Sequence, residues 1–361
     1  MNNSLNNFIK ENYFDYKSDF FAAFIVRCTE MAKPRGRLSF LTPYVWMFIL
    51  SYEKLRKRLL TENTIESLIQ FEYSAFEEAV VPICTFSICN EYRKNYISDF
   101  IRLTEYKGGM EVQRLKTIEA AQNHNCGYYY ETKLDIFLTL PSYPLAYWQG
   151  NGFIEAFNRL PTLSAVVDVK KGMTTADNNT FLRFWWEVML QQTNKNSNSN
   201  ATWFKTHKGG EFRKWYGNSE NVVNWENDGA KLKAFSGAVI RNEDYYLKEC
   251  VSWNDISSAK AAFRYVPYGS ISNASGPSFY GSKENLLYLI GLCNSKVCEE
   301  FLTVLCPTIH FEVGQMAKLP TKIAPEKIEI VDRNTDKAIS LSRLDWDSFE
   351  TSWDFKRHPL V

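Results

Sequence analysis

The chain has 361 residues, 45% of them apolar and 23% charged, an ordinary globular composition long enough that two cores are the natural expectation. Lys and Arg number 42 against 41 Asp and Glu, so no global positive field draws the molecule to nucleic acid or anionic lipid, and any such binding must come from local patches. Aromatic residues, at 15%, are the one clear excess.

The opening "MNNSLNNFIKENY" carries no apolar h-region of a signal peptide. The most apolar window, "LSFLTPYVWMFIL", is interrupted by Pro43 and falls short of the roughly 20 residues a membrane helix needs. Most of the eight cysteines sit in apolar runs such as "VPICTFSIC", with no C-x-x-C pair or Cys and His ligand spacing. They read as buried thiols rather than disulfides or zinc ligands. A cytoplasmic protein without metal or membrane span is the expectation.

In chain order, "SDFFAAFIVRCTEMAK" predicts a helix behind Ser18 as N-cap, with Phe20, Phe21, Phe24, Ile25 and Met31 near helical spacing. "RLSFLTP" predicts a short strand ended by proline. "SYEKLRKRLLTEN" predicts an amphipathic helix, with leucines at 55, 59 and 60 and a solvated basic face. "TIESLIQFE" and "VPICTFSICNEY" predict two further strands. This series suits the second half of a doubly wound α/β sheet ending in a hairpin. No glycine-rich nucleotide loop opens the sequence, so the chain is expected to begin mid-domain.

Beyond residue 100, "IRLTEYKGGMEVQRLKTIEAAQNH" predicts a hairpin around Gly108 and Gly109 followed by a helix, and "LPSYPLAYWQGNG" a junction. Short strands and turns follow to about residue 280, with "NKNSNSNA" as a mobile low-complexity loop. "NLLYLIGLCNSKVCEEFLTVLC" returns to helix, with a break at Asn294 and Ser295. Asp99 and Glu105-Tyr106-Lys107 look like a fragment of a nuclease metal site, but Glu-x-Lys is common by chance and solvated charges are the plainer reading. His124, His207, His310 and His358 stand apart from metal-like partners.

Several blocks carry a resemblance. "YKSDFFAAFIVRCTEMAKPRGRLSFLTPYVWM" resembles the segment that follows the Asn-Pro-Pro-Tyr motif in amino-type adenine DNA methyltransferases. "KGMTTADNNTFLRFWWEV", "KGGEFRKWYGNSENVVNWENDG", "VSWNDISSAKAAFRYVPYGSISNASGPSFY" and "LIGLCNSKVCEEFLTVLCPTIHFEVGQMAKLP" resemble the target-recognition region of one branch, the adenine-specific methyltransferases of BREX and phage-growth-limitation defence systems.

The resemblance implies α/β plus α+β architecture: the C-terminal half of a Rossmann-like methyltransferase sheet, then a mixed α/β target-recognition domain. The boundaries it suggests are 1–100 for the methyltransferase part, 101–160 for a connecting hairpin and helix, 161–325 for target recognition and 326–361 for a further segment. It implies duplex DNA as substrate, S-adenosylmethionine as methyl donor, and an adenine swung out of the helix so that its N6 can be reached. Other BREX proteins, or a separately encoded N-terminal half, are the further partners implied. The Asn-Pro-Pro-Tyr and glycine-rich motifs do not occur in this sequence, so the chain alone is expected to be inactive.

Residue by residue, Asp19, Phe20 and Phe21 match the block that helps enclose the cofactor's adenine, although both rings also suit a buried helix face. Phe76 matches the aromatic that stacks on the flipped base, or it packs in the core. Readout of duplex DNA needs cations for phosphates, amides or guanidinium groups for base edges, and flat side chains. Lys208, Arg213, Lys214, Trp215, Tyr216 and Asn218 offer that mix within eleven residues. Residues 200–270 hold ten basic and eight acidic side chains, so any patch must be made by folding. Trp215 and Trp225 could equally be core. Asn178 and Asn179 are candidate DNA contacts, or with Asp177 form a turn and cap. Two other functions compete: a DNA-binding specificity module without catalysis, like the specificity subunits of type I restriction systems, and a carbohydrate-binding or scaffold module.

Overall fold

The computed structural model describes residues 3–73, 81–195, 200–258, 260–306 and 308–361. The chain divides into two compact units, Met1–Arg159 and Leu160–Val361.

The first unit contains α1 (Asn3–Asn12), α2 (Phe20–Met31), β1 (Arg37–Pro43), α3 (Glu53–Thr61), β2 (Thr64–Gln70), β3 (Ile83–Cys89), β4 (Ile97–Arg102), α4 (Gly109–Gln122), β5 (Tyr129–Lys133) and α5 (Asn151–Arg159). Its five strands form one sheet in the order β1-β3-β2-β4-β5. Because β3 runs antiparallel to both β1 and β2, those two strands point the same way. β4 lies parallel to β2, and β5 closes the sheet antiparallel to β4. The carboxyl ends of β1, β2 and β4 therefore meet at one edge. Trp46 packs its ring against Phe86 at 5.0 Å, and both are buried with Leu55, Leu59 and Leu60 of α3.

Four expectations are corrected. Asp19, not Ser18, caps α2: its backbone is extended and its carboxylate accepts the Phe20 amide at 2.6 Å, while the Ser18 hydroxyl donates to the Ser51 carbonyl. The buried face of α2 is Ala22, Ala23, Ile25, Val26 and Thr29, whereas Phe20 and Phe24 are 39% and 54% exposed. Small side chains let the helix approach its neighbours closely, and the large rings are displaced outward. The basic face of α3 is not wholly solvated: Arg56 is fully buried and donates to the carbonyls of Trp46 and Ile49, each at 2.7 Å, and of Ser142 at 3.0 and 2.7 Å. Finally, Gly108 and Gly109 start α4 rather than turn a hairpin. One oxygen of the buried Glu72 accepts both glycine amides, at 3.0 and 2.7 Å, which holds them at positive φ and answers two of the unpaired donors of a helix N-terminus. The "LPSYPLAYWQGNG" stretch enters the core, with Tyr147 stacked on Phe100 at 4.4 Å and 11°.

The second unit contains β6 (Asp168–Lys170), α6 (Asn178–Phe181), β7 (Leu182–Phe184), β8 (Trp203–His207), β9 (Asn221–Asn224), α7 (Glu226–Lys233), β10 (Cys250–Ser252), β11 (Arg264–Val266), β12 (Ser270–Ser272), β13 (Ser278–Tyr280), α8 (Lys283–Cys293), α9 (Lys296–Leu305), α10 (Val313–Met316) and α11 (Ile328–Trp346). The short strands make two four-stranded sheets, β11-β10-β13-β6 and β12-β8-β9-β7. The first is wholly antiparallel, and the second carries β12 parallel to β8. The chain as a whole is mixed α/β. The predicted helix break falls where expected, with Asn294 ending α8 and the Ser295 hydroxyl capping α9. Half of the mobile-loop expectation, residues 196–199, lies outside the described residues, but Asn194 at its start is anchored to the Gly269 carbonyl and the Lys205 amide.

All eight cysteines are free thiols. Among the described residues no cluster of His, Cys, Asp and Glu could hold a metal ion, and no helix is long and apolar enough to cross a membrane.

Candidate nucleic-acid interface

The stretch His207–Gly229 separates, on folding, into a buried part and an open part. Trp225 packs in a core with Phe181, Leu182, Val223 and Leu232. Tyr216 is buried beneath the Arg343 guanidinium of α11, 5.2 Å from its ring. Asn218 is buried and donates to the Glu211 carbonyl at 2.8 Å. Trp215, half-buried with φ 74°, exchanges backbone hydrogen bonds with Phe263 and Tyr265. Arg213 pairs with Asp345 at 2.8 Å and lies over Trp346 at 5.0 Å. The Lys214 ammonium donates to the Asn294 carbonyl at 3.0 Å. These side chains clamp the stretch to α11 and to the α8–α9 junction.

Lys208 differs. Its ammonium carries no hydrogen bond or ion pair among the described residues, and it lines a polar cleft of about 330 Å³ with Asn178, Asn179, Arg183, Phe184, Glu187 and Asn221. The sheet brings them together: β7 pairs with β9 so that Phe184 faces Asn221, and β9 pairs with β8, after which Lys208 follows directly. Asp177 caps α6 by accepting the Thr180 amide and hydroxyl at 3.1 and 2.7 Å, and these bonds hold its carboxyl below the ordinary range. That cap presents Asn178 and Asn179 to solvent. Asn178 accepts from the Thr175 hydroxyl at 2.6 Å, so its amide group keeps a fixed direction. Arg183 donates to the Asn179 and Leu182 carbonyls. Beside the cleft, Phe184 and Trp186 stack face to face at 4.7 Å and 3° and remain 44% and 45% exposed.

Among the described residues the cleft thus combines the unpaired Lys208, the Arg183 guanidinium, three amides and a rigid aromatic pair, side-chain types that contact phosphates, base edges and sugars or bases, together with the Glu187 carboxylate, which accepts the Phe184 amide. Arg183, Asn221 and Trp186 were not singled out from the sequence. "FLRFWW" is visible there as an aromatic run, but which of its rings face water depends on the pairing of β7 with β9.

His207, next to Lys208, is buried between the two sheets. Its Nδ1 lies 2.9 Å from the Ser270 hydroxyl and its Nε2 2.9 Å from the Ser278 hydroxyl. Burial, with Arg264 and Lys205 nearby, lowers its pKa from 6.5 to about 3, so it is a neutral structural imidazole at physiological pH.

In the first unit, Asp19, Phe20 and Phe21 stand at the N-terminal end of α2. Phe21 stacks on Tyr52 at 5.4 Å and 28°, and Phe20 meets the exposed Phe24 at 5.9 Å. Phe76 lies outside the described residues. The Asp99 carboxylate accepts the Tyr129 hydroxyl at 2.6 Å, and Glu105 and Lys107 are exposed.

The class of protein is indicated first by residues 1–76, which match the Eco57I restriction-modification methylase family. Solved structures agree at the level of fold: the Type IIL restriction-modification enzyme MmeI in complex with DNA superposes with TM-score 0.57 at 11% identity over 98% of this chain and 49% of that one. The DrdV–DNA complex gives 0.52 at 8% identity over 95% and 42%.

Closer in sequence are two adenine-specific methyltransferases. The chain is 32% identical along its full length to PglX of Lacticaseibacillus casei (strain Zhang) and 33% identical to BrxX of Escherichia coli O9:H4 (strain HS). It spans 31% and 29% of the length of these relatives.

Proposed function

We propose that this chain is part of a site-specific adenine-N6 DNA methyltransferase of a BREX-type phage defence system, and that its second unit reads duplex DNA. The observation that supports the DNA-reading role is the meeting of Lys208, Asn178, Asn179 and Asn221 in one open cleft beside the stacked Phe184 and Trp186. The relatives' adenine-specific methyltransferase activity supports the reaction class.

In this reading the first unit supplies the latter part of a Rossmann-like methyltransferase sheet. S-adenosylmethionine, when bound, supplies the methyl group that passes to N6. Phe20 and Phe24, apolar rings left uncovered at the start of α2, suit the planar adenine of such a cofactor, with Asp19 and Phe21 fixing the helix end beneath it. Phe76 is assigned to the flipped base. The motif that holds N6 is not among these residues; this chain supplies the sheet and the reading surface, not the group that orients the amine.

The test is binding of the full chain to a short labelled duplex, followed by fluorescence anisotropy across a salt series. Binding should weaken linearly in log salt, and Lys208→Ala should make that slope shallower by about 0.9, the loss of one phosphate contact. Trp186→Ala should weaken binding without changing the slope. Salt-independent binding, or none, would remove the reading.

A further inference from the structure

A charged group in the first unit, Arg102, sits at the edge of the sheet where its parallel strands end. β1, β2 and β4 point the same way and end level with one another, Pro43 opposite Ile83, Gln70 opposite Cys84 and Gln70 opposite Arg102. In open α/β sheets, ligands occupy the crevice outside the carboxyl ends of such strands. At that edge the Arg102 guanidinium lies over the Trp148 ring at 4.8 Å. Its Nε is buried with no hydrogen-bond partner, and no acceptor among the described residues takes its other nitrogens.

The surroundings are polar, and among the described residues no acid pairs with Arg102. Gln70 is buried and its side-chain oxygen accepts the Tyr147 hydroxyl at 2.8 Å. Burial raises the Tyr44 and Tyr147 hydroxyls above their ordinary range, and the nearby Arg102 charge acts against that rise on both. Glu72, two residues past the end of β2, is committed to the amides of Gly108 and Gly109. A guanidinium held on an indole face, half-buried and without an acceptor among the described residues, is arranged to take an oxyanion from outside, and its planar fork suits phosphate.

We infer that Arg102, seated on Trp148 at the carboxyl edge of the first sheet, binds a backbone phosphate of the DNA strand presented to that edge. The inference rests on the DNA-reading function proposed above. It adds a second, independent contact on the other unit, and a positioning role for Arg102: a phosphate fixed there sets where the neighbouring nucleotide stands relative to the strand ends.

The test uses the full chain and the same salt series, with Arg102→Met, Arg102→Lys and Lys208→Ala compared, and folding checked by circular dichroism. Arg102→Met should make the log K against log salt slope shallower by about 0.9, while Arg102→Lys keeps the slope and binds roughly tenfold more weakly because a point charge replaces the fork. If Arg102→Met fails to fold, the lysine variant alone carries the test. Both Arg102 variants binding like the parent, with Lys208→Ala weakened, overturns this inference and leaves the cleft in place. The reverse pattern upholds Arg102 and removes the cleft, and a parent chain that binds no duplex overturns both.

Discussion

The imidazole of His207, at the end of β8, reaches across the second unit to the Ser278 hydroxyl of β13, 2.9 Å from Nε2, so a single side chain ties its two sheets together. The second bond, from Nδ1 to Ser270, leaves neither ring nitrogen free to take a proton without breaking a buried contact.

That geometry sets a pH dependence. The folded pKa, about 3, lies below the ordinary 6.5, so the unfolded chain binds this proton more readily. The stability contributed is fully present above about pH 6.5 and is lost as pH falls below it towards 3, at up to about 1.4 kcal/mol per pH unit. Urea unfolding at successive pH values should show this loss, and His207→Gln should flatten it.

Arg56 offers a test in the first unit. Its guanidinium satisfies three carbonyls from Trp46, Ile49 and Ser142, and burial lowers its pKa to about 10. Arg56→Leu strands those carbonyls in an apolar interior and should cost about 3–5 kcal/mol. Arg56→Lys should recover only part of this, because one ammonium cannot reach the same fork of acceptors. Denaturant midpoints of the two variants against the parent decide it.

Glycine substitutions separate close approach from mere flexibility. A Cβ on Gly172 would sit 2.1 Å from the Ser272 carbonyl oxygen, a backbone atom that cannot swing aside. Gly172→Ala should therefore destabilise by about 2–4 kcal/mol. Gly314, inside α10, meets nothing within 4 Å, and Gly314→Ala should be neutral or stabilise by up to about 1 kcal/mol. Thermal melts of both variants provide the comparison.

Arg213 should behave as a clamp rather than a DNA contact. Its ion pair is with the 61% exposed Asp345, worth little by itself, but its guanidinium also covers Trp346. Arg213→Ala should lower stability by about 1 kcal/mol and leave the salt dependence of DNA binding unchanged. A slope change like that expected for Lys208→Ala would contradict this assignment.

Local pattern made much of the fold legible. The strands at 37–43, 64–70 and 83–89 follow from short apolar or branched runs between turn signals, and the Asn294–Ser295 break from residues that end one helix and cap the next. Asp177 as a cap follows from the same local logic: its short carboxylate reaches the amide three residues on. Where the deciding partner was distant, the pattern misled. Nothing near Gly108 announces Glu72, and nothing in "EKLRKRLL" marks Arg56 rather than its neighbours as the buried cation.

The candidate interface divides in the same way. Sequence alone determined that this chain carries the residue types for reading DNA, and that His207 to Gly229 concentrates them, because composition and spacing are properties of neighbours along the chain. Only the tertiary structure decided which of them face water: it sealed Tyr216, Asn218 and Trp225, tied Arg213 and Lys214 to distant helices, and set Lys208 beside Asn178, Asn179 and Asn221. The physical reason is that strand pairing and helix docking fix a side chain's surroundings through contacts far apart in sequence, and no local pattern encodes those partners.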